Sequence, residues 1–193
     1  MSQEIEIEFK NLLTEEEFTR LSNRLSFDTV ELIEQTNYYF ETKNLQLRAQ
    51  GSALRIRKKD NQWTLTLKQP HSEGLLETHA SLTAEEANLW IQNKPVDKPD
   101  IVQQLKGLGV KSKDLIYLGS LTTRRKEMEY QGTTVVLDHS LYYGREDYEL
   151  EIEAASVQQG QQVIKQLLEE LNIPKRETDN KIKRFYQAKL QSE

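Results

Sequence analysis

The chain has 193 residues, of which 36% are hydrophobic and 30% charged, with a formal net charge of −5. It has no Cys, which excludes a disulfide framework, a thiolate metal site and a Cys nucleophile. The acidic balance argues against nucleic-acid binding through bulk basicity, and without a long apolar run or an apolar leader the expectation is a cytoplasmic protein with no membrane partner.

The elements follow in chain order. Residues 4–10 alternate charged and apolar side chains with the period of a β-strand: Glu4, Glu6, Glu8 and Lys10 on one face, Ile5, Ile7 and Phe9 on the other. Three acids on one strand face repel each other unless cations or basic side chains sit opposite. Thr14 followed by Glu15, Glu16 and Glu17 reads as an N-cap with acids in the first helical turn, so a helix to about Leu25 is expected. Residues 34–41 read as a strand that includes Tyr39. Residues 53–59 form another, with Arg55, Arg57 and Lys59 opposite Leu54 and Ile56. Asp60-Asn61 signals a hairpin into residues 63–68, which Pro70 is expected to end. Residues 75–82 make a fifth strand carrying Glu77 and His79.

The middle of the chain, about 83–110, reads as a helical insertion that opens on Thr83-Ala84-Glu85-Glu86. Strands resume at 115–130, 133–139 and 148–154. Glu149, Glu151 and Glu153 share a face of the last one. Within 115–130 the register is open, so Arg125, or Arg124 with Lys126, shares the charged face. C-terminal helices are expected over about 156–190, with Ile182, Phe185 and Tyr186 inward and Lys183 and Arg184 on a solvated face. Trp63 is expected to pack between sheet and helix, and His79 to be a hydrogen-bonded strand residue.

About eight strands thus carry a face rich in charge of both signs, with acids at both ends of the chain and bases in the middle. The predicted fold is α+β: an eight-stranded antiparallel closed β-barrel with a polar lumen and helices packed outside, in one domain over 1–193. Carboxylates along one wall suit a divalent cation, and Arg and Lys along the other suit phosphate oxygens. Strand residues i and i+2 lie about 6.6 Å apart, close enough for two Glu side chains to converge on one ion. Three His and no Cys favour a hard cation over zinc.

Glu6-x-Glu8-x-Lys10 resembles the ExExK signature of the CYTH superfamily, the triphosphate tunnel metalloenzymes. Further elements come in that family's order: Leu54-Arg55-Ile56-Arg57, Thr66-Leu67-Lys68, Arg124-Arg125, Val136-Leu137-Asp138, Glu151-Ile152-Glu153 and Asn180-Lys181. The resemblance covers nearly the whole chain. It implies Mg²⁺ or Mn²⁺, one or two ions, held by Glu6, Glu8, Asp138, Glu151 and Glu153. It implies a triphosphate bound by Lys10, Arg55, Arg57, Lys68, Arg125 and Lys181, with Glu6, Glu8 and Lys10 at the reaction centre. Glu77, Arg124 and Tyr39 are further candidates. His79 stands where the family commonly has a second acid, Leu75 where it commonly has a base, and Thr123 where some members have one. The implied activity is metal-dependent triphosphate hydrolysis by a monomer or homodimer. A class IV-type adenylate cyclase and a non-catalytic polyphosphate or nucleotide sensor are the alternatives.

Overall fold

The computed structural model describes residues 2–192. Their strands are β1 (Ser2–Glu6), β2 (Glu8–Leu13), β3 (Ile33–Thr42), β4 (Ala53–Lys59), β5 (Gln62–His71), β6 (Gly74–Leu82), β7 (Leu115–Tyr130), β8 (Thr133–Tyr142) and β9 (Arg145–Glu153). The helices are α1 (Glu15–Arg24), α2 (Gln46–Ala49), α3 (Ala84–Ile91), α4 (Pro99–Gly107), α5 (Val157–Glu170) and α6 (Lys181–Ser192).

The expected closed eight-stranded barrel is not what forms. Nine strands make one antiparallel sheet in the order β1-β6-β5-β4-β3-β7-β8-β9-β2, and its hydrogen-bonded ladder is open at β1 and β2. The cause lies in the first ten residues. The alternating run expected to be one strand breaks at Ile7: β1 pairs with β6 and β2 with β9. Two strands joined through a single residue cannot turn back on each other, because even the tightest hairpin needs a two-residue loop. One run therefore supplies both end strands, and the ladder has no pair left to close it.

The chain divides into two compact units, one holding residues up to Glu6 with Gln35–Leu121, the other Ile7–Glu34 with Thr122 onward. In the first, Leu54, Ile56, Leu65 and Leu67 of β4 and β5 pack with Ala87 and Trp90 of α3 and Ile101 and Leu105 of α4. Trp63 packs against the edge of this core. Thr14 and Thr83 each accept the N3 amide of the helix they precede and receive a Glu side chain on their own amide, so both capping boxes form as the sequence indicates. Pro70 does not end β5. Pairing with β4 stops at Lys68, so Pro70 is bordered only by β6 and its missing N–H goes unneeded.

In the second unit, Leu13, Val135, Leu137, Leu150 and Ile152 pack with Leu21 of α1 and Val163, Leu167 and Leu168 of α5. Gly160 permits that packing: a Cβ there would lie 2.5 Å from the Phe9 ring of β2. Helix α6 departs from the expectation that helices cover the apolar side. Its first turn meets the charged face of β8 and β9 instead, through Lys181 and Arg184.

Candidate active site

Pairing across strands brings the charged residues of each unit into rows. In the first unit one row is Tyr39, Arg55, Thr66 and His79, on β3, β4, β5 and β6. The next is Ala53, Lys68, Glu77 and Glu4. Lys68 Nζ pairs with Glu6 Oε2 at 2.6 Å and with the buried Glu77. Burial works to raise the Glu77 carboxyl, but Lys68 and Arg55 hold it below its ordinary range. His79 Nδ1 lies 3.0 Å from Thr66 Oγ1, while its Nε2 lies 3.1 Å from Glu4 and 3.5 Å from Glu77. Arg57 Nε donates to Asn37 Oδ1 at 3.0 Å. Arg55 Nε is buried and has no hydrogen-bond partner among the described residues. Tyr39 is buried in the row that carries Arg55.

In the second unit the row is Arg125, Asp138 and Glu149 on β7, β8 and β9, with Lys10 opposite Glu151 and Glu8 opposite Glu153 in the β2–β9 ladder. The open register of β7 resolves with Arg125 buried on this face, while Arg124 lies outside and pairs with Glu34 at 3.5 Å. Arg125 forks onto Asp138 at 2.8 and 2.7 Å, reaches Glu151 at 2.7 Å and lies 3.8 Å from Glu153. Lys181 Nζ sits among Asp138 at 2.7 Å, Glu149 at 2.6 Å and Glu151. Lys10 pairs with Glu8 at 2.5 Å. Glu6 and Glu8, read from the sequence as one pair, thus have different basic partners.

Two residues were not read into this site from the sequence. Glu149 shares the charged face of β9 and lies two residues from Glu151, but the resemblance implies no ligand role for it. Arg184 was expected in solvent, but is 9% exposed and pairs with Glu149 at 2.6 Å and Asp147 at 2.9 Å. Its position three residues after Lys181 puts both on one helix face. Lys183 does lie at the surface, pairing with Asp179.

Electrostatics sort the buried acids. Burial opposes ionisation of Asp138 and Glu151, but Lys181 and Arg125 hold both carboxyls down, Glu151 well below its ordinary range. For Glu149 burial wins, aided by Glu151, and the carboxyl is pushed up to about 7. The folded chain therefore holds a proton that the unfolded chain releases between 4.5 and about 7. That contribution to stability is complete below the lower value and is lost as pH rises through the higher one. In EDTA, Glu149→Gln is expected to gain stability relative to wild type from about pH 5 to about pH 7 and to hold a constant offset beyond. Urea midpoints across that range check this; a difference that does not vary with pH would contradict it.

Two groups offer donor sets that fit a divalent cation. Asp138, Glu149 and Glu151 each bring one oxygen within 4.8 Å of the others, as do Glu4, Glu77 and His79 with their ligand atoms. The first set is all oxygen, as hard cations require; the second adds an imidazole. The ammonium of Lys181 among the first three carboxylates shows that this locus draws positive charge. Among the described residues, no helix is long and apolar enough to cross a membrane.

The model of the CYTH domain matches residues 4–186. A Bacillus subtilis (strain 168) protein named "Putative triphosphatase YjbK" is 44% identical over the whole of both chains. The crystal structure of "a putative adenylate cyclase" from Bacillus halodurans is 40% identical, covering 96% of this chain and 100% of that one, with a TM-score of 0.92. A Hippeastrum protein, named a "putative adenylyl cyclase" with a dominant triphosphatase activity, is 25% identical over 95% of this chain and 96% of its own, with a TM-score of 0.77. Arg55 and Arg57 on β4, Lys68 on β5 and the carboxylates of β8 and β9 are thus the charged faces of a chain that belongs to the CYTH domain family.

Proposed function

We propose that the protein hydrolyses a triphosphate group with the help of Mg²⁺ or Mn²⁺. The observation that carries this reading is Arg55: a guanidinium donor, Nε, buried without a hydrogen-bond partner among the described residues, two residues from Arg57 on β4 and one row from Lys68 on β5. A buried donor left unpaired is costly, and an anionic ligand satisfies it. Asp138, Glu149 and Glu151 are the residues that would hold a cation, with Glu8 and Glu153, paired in the β2–β9 ladder, as further carboxylate donors. When bound, the cation neutralises phosphoryl oxygens and lowers the pKa of a water.

The remaining roles fall to the protein's own bases. Arg55, Arg57 and Lys68 would bind and orient phosphate oxygens, and Lys10, Arg125 and Lys181 would balance charge that shifts onto the leaving group. No nucleophilic side chain is required. The activity in the name of the Bacillus subtilis relative supports the reading.

The name of the Bacillus halodurans structure favours a second reading, cyclisation of ATP. One panel separates the two: phosphate release from tripolyphosphate with Mg²⁺ or Mn²⁺, beside cyclic-AMP formation from ATP. Phosphate release that EDTA abolishes is the expected result. Cyclic AMP without phosphate release would replace it with the cyclase, and calorimetric binding of tripolyphosphate without turnover would replace both with a sensor.

A further inference from the structure

The segment between α5 and α6, residues 174–180, has no regular secondary structure, yet it is tied to β2 and α1 at successive points. Asn11 Nδ2 donates to the Pro174 carbonyl at 3.2 Å, and the Arg176 amide donates to Asn11 Oδ1 at 2.6 Å. The Arg176 guanidinium donates to the Leu12 carbonyl at 2.8 Å and forks onto Glu17 at 2.8 and 2.9 Å. Thr178 Oγ1 accepts the Leu12 amide at 2.9 Å. Asn11 is fully buried and Glu17 is 6% exposed. The same Glu17 side chain also closes the capping box of α1, so one carboxylate fixes a helix start and the strap together.

Five residues beyond Arg176 the chain begins α6, and its first residue is Lys181. Where that helix starts decides whether the Lys181 ammonium meets Asp138, Glu149 and Glu151. The first turn of α6 has ties of its own: Arg184 pairs with Asp147 and Glu149, and the Lys183 amide donates to Asn180 Oδ1. These begin four residues beyond Arg176 and leave the strap to set the approach of the chain. Farther along, Phe185 is buried beside Tyr142 and Tyr143, and Gln191 accepts from Arg145.

We infer that Arg176, clamped by Glu17, is a positioning residue that sets Lys181 among the three carboxylates. Arg176 lies on the strap and pairs away from the carboxylate cluster, so it acts through Lys181. A bidentate guanidinium–carboxylate pair suits this task because it fixes direction as well as distance. The kinetic part of the inference rests on the triphosphatase reading; the structural part does not.

Two variants test it. Arg176→Ala removes the clamp. Glu17→Gln weakens it but leaves the cap intact, because Gln also serves at N3 of a capping box. Amide exchange in the first turn of α6 is expected to rise about 10-fold in Arg176→Ala, with β8 and β9 unchanged, and by less in Glu17→Gln. kcat for tripolyphosphate is expected to fall about 10-fold with KM within about twofold, because Lys181 balances charge that develops on the leaving group, and Arg176→Lys is expected to recover part of that loss. Wild-type exchange in α6, or faster exchange beside an unchanged kcat, overturns the inference. If wild-type protein releases no phosphate, the hydrolase reading fails by itself, and the exchange measurement alone decides whether Arg176 holds Lys181.

Discussion

Arg125→Met is expected to lower the unfolding free energy by about 3–5 kcal/mol, the usual cost of removing one partner from a buried ion pair. Arg125 has three carboxylates around it, and two of them, Asp138 and Glu151, are buried. Without it Asp138 and Glu151 would keep Lys181 as their main basic partner, with Arg184 still on Glu149, and the desolvation of those acids would lose much of its compensation. Urea unfolding at neutral pH in EDTA reads the effect. A midpoint equal to wild type would mean that the guanidinium contributes nothing to holding the acids.

The second large effect falls on activity. Arg55→Ala is expected to lower kcat/KM for tripolyphosphate about 10- to 150-fold, which corresponds to a charge-assisted hydrogen bond of about 1.5–3 kcal/mol. Arg55 Nε has no hydrogen-bond partner among the described residues, while its charge helps hold the buried Glu77 carboxyl down, so the urea midpoint is expected to fall by less than in Arg125→Met. The two arginines therefore separate cleanly. Arg125 satisfies carboxylates already present, while Arg55 has a donor to spare. Unchanged kcat/KM in Arg55→Ala would remove the main support for an anion at β4 and β5.

Much of the fold could be read from local pattern. Alternation marks β4, β5 and β9, and Thr14 and Thr83 mark helix starts, because each signal depends on residues a few positions apart. The break at Ile7 has no such signal. Side chains keep their period of two across it, and only the choice of partner, β6 for one half and β9 for the other, separates them. Helix α6 is similar. Its apolar stripe shows that one side is buried but not which face of the sheet it meets, and the Lys181–Arg184 spacing is the only local hint of a charged one. Short helix α2 depends on Glu41, whose buried carboxylate accepts the amides of Thr42, Leu47 and Arg48, an arrangement that composition does not show. For the site, the residue types were legible and their partners were not. Glu6 meets Lys68 because of the β1–β6–β5 ladder, which brings residues 62 apart together, whereas Glu8 and Lys10 meet as i, i+2 neighbours on β2.

The break at Ile7 also bears on synthesis. Glu6 pairs with Leu75, and Glu8 with Glu153. The run that supplies both end strands therefore leaves the ribosome long before either partner exists. At roughly 5–20 residues per second, Glu8 waits about 7–30 s for β9. During that interval Phe9 lacks both β9 and α5, against which it packs in the finished fold, and the β2 end of the sheet must be added last, whereas β1 can join as soon as β6 is made. Pairings so distant in sequence slow folding, and chaperone demand should concentrate in this nascent stage rather than in the finished protein.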